Sequence, residues 1–172
     1  MMLEIALEAD AEWDSSTGEG RDWAALAEAA ATAAIAESRF PKLAASARTV
    51  ELSIRLTGDR QVRALNSEWR GKDKATNVLS FPLAEEADLR SAAADGPELM
   101  LGDIVLARGV CAREAEAKAI PLADHAAHLL VHGTLHLLGY DHGDDGGAED
   151  MEAREVRALA RLGIPDPYAE AA

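Results

Sequence analysis

The sequence holds few of the features that mark secreted or membrane proteins. Cys111 is the one cysteine among 172 residues, which excludes an internal disulfide and is typical of a reducing compartment. No apolar run approaches the roughly 20 residues that cross a bilayer. The first residues lack a basic stretch followed by a long apolar core, so we expect no signal peptide. These absences predict a cytoplasmic protein that does not associate with a membrane.

Basic residues are also scarce. The chain has 17 Lys and Arg against 31 Asp and Glu, a formal net charge of −14. A protein that binds nucleic acid mainly through phosphates usually has a basic surface. Any contact with nucleic acid must therefore come from a local basic cluster, with a partner that holds the nucleic acid.

The length and the hydrophobic pattern predict one domain over residues 1–172, since 48% of the residues are hydrophobic. Alternating or continuous apolar runs predict four strands, at residues 3–7, 50–56, 78–81 and 99–106. Apolar residues at helical spacing predict five helices, at residues 23–35, 62–69, 109–118, 122–138 and 147–162. We expect an α+β fold, with a small four-stranded mixed sheet packed against about five helices. Residues 9–20 are expected to form a loop, and residues 84–97 a surface excursion.

Histidine is absent except in one short segment, residues 125–142, which contains all five. Because helical residues advance by about 100° each, His125, His128, His132 and His136 fall within an arc of roughly 80°. One helix therefore carries a stripe of imidazoles. We expect His125 to face solvent and His128 to support a neighbouring ligand.

Three of these histidines have the spacing of a metal site. His132 and His136 lie one helical turn apart, so both can reach one ion. Gly139 can end the helix in a left-handed conformation, and the chain reversal can bring in His142 as a third ligand. Three protein ligands leave a fourth position open, as in catalytic zinc sites. The pattern predicts one Zn²⁺ per chain, although three imidazoles also accept nickel, copper or iron.

The spacing H-x3-H-x2-G-x2-H is also that of metzincin proteases. Those enzymes place a glutamate, their general base, directly after the first histidine. Gly133 stands at that position here. A metallopeptidase therefore remains an alternative that has the ligands but lacks the base.

Arg70, Lys72 and Lys74 form the densest basic cluster of the chain. A planar guanidinium suits a phosphate, and the two lysines add less directional charge. The simpler interpretation is a solvated loop before a strand. Asp103, inside an apolar strand, is expected either to bond a ligand histidine or to close a structural network.

Three segments resemble one known family. Residues 132–142 (HGTLHLLGYDH) resemble the signature of the YbeY family of bacterial rRNA-maturation endoribonucleases. Residues 69–82 (WRGKDKATNVLSFP) and residues 101–104 (LGDI) resemble two further blocks of that family, in the same order along the chain. Trp69 and Ala75 depart from the Tyr and Pro expected there, and neither is a candidate ligand.

The resemblance implies a zinc-dependent, single-strand-specific endoribonuclease that acts in 16S rRNA 3′-end maturation and ribosome quality control. It implies that His132, His136 and His142 bind zinc and that Arg70 is functionally important. The expected partners are rRNA and the ribosome or its proteins. A zinc-containing ribosome-assembly factor without catalytic activity is a second alternative to the nuclease.

Overall fold

The computed structural model describes residues 1–14, 22–90, 98–141 and 143–169. Four strands and eight helices lie within these residues. The strands are β1 (Met2–Ala9), β2 (Thr49–Thr57), β3 (Val78–Pro82) and β4 (Leu99–Ala107). The helices are α1 (Ala11–Asp14), α2 (Trp23–Ala36), α3 (Pro41–Ala45), α4 (Asp59–Arg70), α5 (Glu86–Arg90), α6 (Arg108–Lys118), α7 (Leu122–Leu137) and α8 (Asp145–Arg161).

The strands form one mixed sheet in the order β1-β2-β4-β3. β2 runs parallel to both of its neighbours, and β3 pairs antiparallel with β4. The predicted α+β fold with a four-stranded mixed sheet is therefore confirmed. The five predicted helices correspond to α2, α4, α6, α7 and α8, while the three additional helices have only four or five residues each.

Helix α7 lies against the sheet and positions the candidate site. It packs against α2, α8, β3 and β4. The approach to β4 is close, because a Cβ added to Gly133 would lie 3.1 Å from Ile104. At the end of α7, the Leu137 side chain lies 2.9 Å from where a Cβ of Gly102 would stand. Glycine at these two positions lets the last turn of α7 pack directly beside β3 and β4.

The predicted loop over residues 9–20 is wrong for its first part. Residues Ala11–Asp14 form α1, and Trp13 within it is fully buried at 0% exposure. Its indole donates to the Thr57 carbonyl at 2.9 Å, and its ring meets Trp23 edge to face at 5.2 Å. A buried indole with a partner for its N–H stabilises a turn of helix that polar composition alone does not reveal. Residues 15–21 lie outside the described residues.

The predicted surface excursion over residues 84–97 also contains a helix. It is α5, whose Leu89 is buried in the main core. Residues 91–97 lie outside the described residues. Within the part of the chain that the structure describes, no helix has the length and the apolar character needed to cross a membrane.

Candidate metal centre

The last two turns of α7 bring His132 and His136 together. Their Nε2 atoms lie 3.0 Å apart and their ring centroids 4.5 Å apart. The helix ends at Leu137, and Gly139 follows with a φ of +92°, a left-handed conformation that glycine adopts without strain. Tyr140 N–H then donates back to the Leu135 carbonyl at 3.1 Å. The reversal that the sequence predicts after Gly139 is therefore present.

Each of the two rings has an acceptor at its other nitrogen. His136 Nδ1 lies 2.8 Å from the Tyr140 carbonyl oxygen, which can only accept. His132 Nδ1 lies 3.2 Å from the carboxylate oxygen Oε1 of Glu155. An acceptor at Nδ1 favours the tautomer of a neutral imidazole that holds its proton on that nitrogen. In that tautomer the Nε2 lone pairs of His132 and His136 point toward the same space.

Glu155 is the functional candidate that the sequence analysis missed. It lies on α8 at 0% exposure and accepts from His128 Nε2 at 2.7 Å and from Tyr168 OH at 2.9 Å, besides His132. Burial alone would raise the pKa of this carboxyl, but the hydrogen bonds from His128 and His132 outweigh burial and lower the pKa to about 2. The available signal was its spacing, because Glu155 follows the buried Met151 by one helical turn.

The structure also shows where the two other histidines of α7, His128 and His125, lie. His128 contacts Glu155, which in turn bonds His132, and its expected support of a neighbouring ligand stays a prediction. The expectation that His125 faces solvent is wrong, because only 1% of it is exposed. Its Nε2 bonds to Glu114 Oε1 at 2.8 Å, and burial lowers its pKa although the bond to Glu114 acts to raise it. The 3.6-residue period cannot predict which neighbour covers a helix face.

Arg70 and the two histidines line one pocket of about 460 Å³. Arg70 Nη2 donates to the Ser80 carbonyl at 2.9 Å, and its guanidinium carbon lies 5.8 Å from the centre of the Phe81 ring. The pocket is lined by Arg70, Asn77, Val78, Ser80, Pro82, His132, His136, Gly139, Tyr140 and Asp141. A guanidinium and two imidazoles that line the same pocket suit a phosphate beside a metal ion.

His142, the third predicted ligand, lies outside the described residues, so its role stays a prediction. Within the described residues, no three His, Cys, Asp or Glu side chains group closely enough to hold a metal ion. A three-ligand group cannot be found there, because only two of the three candidate ligands, His132 and His136, lie within the described residues. The two that are described meet at Nε2, as a shared ion requires.

Asp103 is not brought to this pocket. It lines a separate groove of about 420 Å³, together with Trp69, Phe81 and other residues around β4. Which of the two roles expected for Asp103 it fills stays a prediction, since His142 lies outside the described residues.

Comparison with known proteins gives consistent matches. A family model described as "Endoribonuclease YbeY" matches residues 11–163. The chain is 52% identical over 169 residues to a protein named Endoribonuclease YbeY from Rhizorhabdus wittichii, with 98% of both chains covered. It is 53% identical over 170 residues to the protein of that name from Sphingopyxis alaskensis, with 98% of this chain and 99% of the relative covered. A Thermotoga maritima protein solved in solution shares the fold, at a TM-score of 0.55 and 20% identity over 98% of this chain and 100% of that one.

Proposed function

This chain belongs to the YbeY endoribonuclease family, and we propose that it is a zinc-dependent, single-strand-specific endoribonuclease that acts in 16S rRNA 3′-end maturation and ribosome quality control. The zinc proposal rests on the Nε2 atoms of His132 and His136, which lie 3.0 Å apart. The Nδ1 atom of each ring faces an acceptor, the Glu155 carboxylate for His132 and the Tyr140 carbonyl for His136. The proposed ligands are His132, His136 and His142, with one zinc per chain. The cytoplasm is the proposed place of action.

The donor set fits zinc. With both protons on Nδ1, the two imidazoles cannot hydrogen-bond to each other through Nε2, whereas one cation can accept both lone pairs. Two nitrogens in a tetrahedral site with bonds of about 2.0–2.1 Å lie about 3.3 Å apart. The observed 3.0 Å is close to that separation. Bound zinc supplies a Lewis acid for the phosphoryl oxygen and lowers the pKa of water to roughly 7.

Arg70 is the proposed phosphate ligand. Its bond to the Ser80 carbonyl uses one of the five N–H donors of a guanidinium and fixes the plane of the group at the pocket wall. The remaining donors can bind a phosphate in bidentate fashion and offset the charge that develops on it. His132 and His136 lie in the same pocket, so the phosphate held by Arg70 would lie beside the metal.

The ribosome or a ribosomal protein is the proposed partner that delivers the RNA. A chain with a net charge of −14 repels a polyanion except at its local basic cluster. Delivery by a partner raises the local concentration of RNA at the pocket without requiring a broad basic surface.

The two alternatives have less support. A metallopeptidase needs a base after the first histidine, but a side chain at Gly133 would point into Ile104 on β4 and away from the pocket. A purely structural zinc would be enclosed by four protein ligands, whereas His132 and His136 line a pocket of about 460 Å³ that also holds Arg70.

One set of assays separates these functions. The purified protein is incubated with single-stranded RNA, with duplex RNA of the same sequence and with an unstructured peptide, each with and without a chelator. We expect cleavage of the single-stranded RNA alone, and its loss with chelator. Cleavage of the peptide would favour the peptidase, and bound zinc without any RNA cleavage would favour the assembly factor.

A further inference from the structure

Glu155 lies completely inside the protein, between α8 and the histidine stripe of α7. A buried carboxylate is costly unless hydrogen bonds replace its water shell. Here three groups supply them: His132 Nδ1 at 3.2 Å, His128 Nε2 at 2.7 Å and Tyr168 OH at 2.9 Å from Oε1. Tyr168 OH also reaches Oε2 at 3.1 Å. The carboxylate is thus held in place on several sides while one oxygen faces His132.

The two candidate ligands are oriented in different ways. His136 is oriented by a backbone carbonyl of the turn that follows α7, at 2.8 Å. His132 is oriented instead by a carboxylate, because its Nδ1 faces Glu155, which lies 23 residues further along the chain. A carboxylate at this position fixes the tautomer of an imidazole and makes its other nitrogen a stronger metal ligand.

We propose that Glu155 is a positioning residue, which holds His132 with its proton on Nδ1 and so directs the Nε2 lone pair toward His136 and the pocket. The inference rests on the proposed zinc function. Glu155 acts through His132 and does not line the pocket itself. His128 and Tyr168 serve this role indirectly, because they hold the carboxylate in place.

A second histidine–carboxylate pair, between His125 on α7 and Glu114 on α6, supplies a control. Glu114 accepts from His125 Nε2 at 2.8 Å, and His125, like His132, lies on α7. Neither Glu114 nor His125 lines the pocket of His132 and His136. Glu114 also accepts from Asn77 Nδ2 at 3.0 Å, so Glu114→Gln alters that bond and a histidine–carboxylate pair of the same chemistry, without changing a contact of a proposed zinc ligand.

The first test measures zinc affinity of the intact chain by competition with a chromophoric chelator. Glu155→Gln keeps the size of the side chain, and we expect zinc to bind about 10- to 100-fold more weakly. Tyr168→Phe removes one hydrogen-bond donor to Glu155 and should weaken zinc binding less than Glu155→Gln does. Glu114→Gln should match wild type. Equal zinc affinity in Glu155→Gln and wild type, or equal losses in Glu155→Gln and Glu114→Gln, would overturn the proposal.

The second test needs no variant and reads the tautomer directly. Nitrogen-15 NMR of the metal-free wild-type protein should find the His132 proton on Nδ1, and a proton on Nε2 would overturn the proposal. A wild-type chain that binds no zinc but holds His132 in the Nδ1–H form would refute the proposed zinc function and leave the positioning contact standing. The failures of the two proposals are therefore distinguishable.

Discussion

His132 and His136 face each other through Nε2 atoms 3.0 Å apart, one turn apart on α7. Behind each ring stands a different acceptor, the Glu155 carboxylate for His132 and the Tyr140 carbonyl for His136. The pair therefore depends on three separate segments of the chain, α7, the turn after it and α8.

Zinc content should depend on His136. Wild-type protein should carry about one zinc per chain, and His136→Ala should lose most of it, because metal affinity falls steeply when one of three ligands is removed. Elemental analysis of the purified proteins measures this. His125→Gln, on the same helix but bonded to Glu114, should retain its zinc. Full retention of zinc in His136→Ala would remove this residue from the site.

Arg70 should matter for cleavage and not for metal binding. Arg70→Ala should keep its zinc and its fold but cleave RNA about 100-fold more slowly or worse, since a group that offsets transition-state charge is lost. Arg70→Lys should recover only part of the rate, because a point charge cannot replace a bidentate fork.

The control for Arg70 lies two turns earlier on α4. Arg63 is exposed and pairs with Asp73 at 2.8 Å, so Arg63→Ala removes a positive charge outside the pocket. Cleavage by Arg63→Ala should stay near the wild-type rate. If Arg70→Ala and Arg63→Ala cleave equally well, Arg70 has no role as a phosphate ligand.

Binding to naked RNA should be weak and only mildly dependent on salt. Residues 55–74 contain six basic and three acidic side chains, while the whole chain carries a net charge of −14. Three phosphate contacts, at Arg70, Lys72 and Lys74, would give a slope of log affinity against log salt of about −2 on single strands. A salt series of binding measurements provides the slope.

Cleavage at the correct site should improve when 16S rRNA is presented in assembled particles. A steep salt slope, together with equal site selectivity on free RNA and in particles, would refute delivery by a partner.

The strands and the longer helices could be predicted because their apolar residues form a regular period or a continuous run. β2 alternates buried Val50, Leu52, Ile54 and Leu56 with more exposed neighbours, so its pattern and its structure coincide. α1 could not be predicted, because Trp13 is buried through contacts with other elements, Trp23 on α2 and Thr57 on β2.

In the candidate site too, contacts within one helix could be predicted and contacts between helices could not. The spacing of His132 and His136 is local to one helix, so the sequence predicts that they meet. Glu155 reaches His132 from α8, and nothing local to α7 indicates which residue of another helix will cover the histidine stripe. His125 was misjudged for the same reason, since Glu114 on α6 covers it.

Cys111 should resist alkylation in the folded protein. Burial, together with the nearby charges of Glu114 and Asp59, raises its thiol pKa from 9.0 to about 12. Because the thiolate is the reactive form, a thiol reagent at about pH 8 should modify the native protein far more slowly than the unfolded one. The folded pKa is the higher one, so this thiol's contribution to stability is complete below pH 9.0 and is lost as the pH rises toward 12. Equal rates in native and denaturing buffer would contradict the burial.

A zinc titration of metal-free protein, followed by the rate of single-stranded RNA cleavage, shows whether cleavage needs zinc. We expect no cleavage without metal, a linear rise as zinc is added and a break at about one zinc per chain. The same titration of His136→Ala should give little activity at that ratio. Undiminished cleavage by the metal-free wild-type protein would show that zinc at these histidines has no part in RNA cleavage.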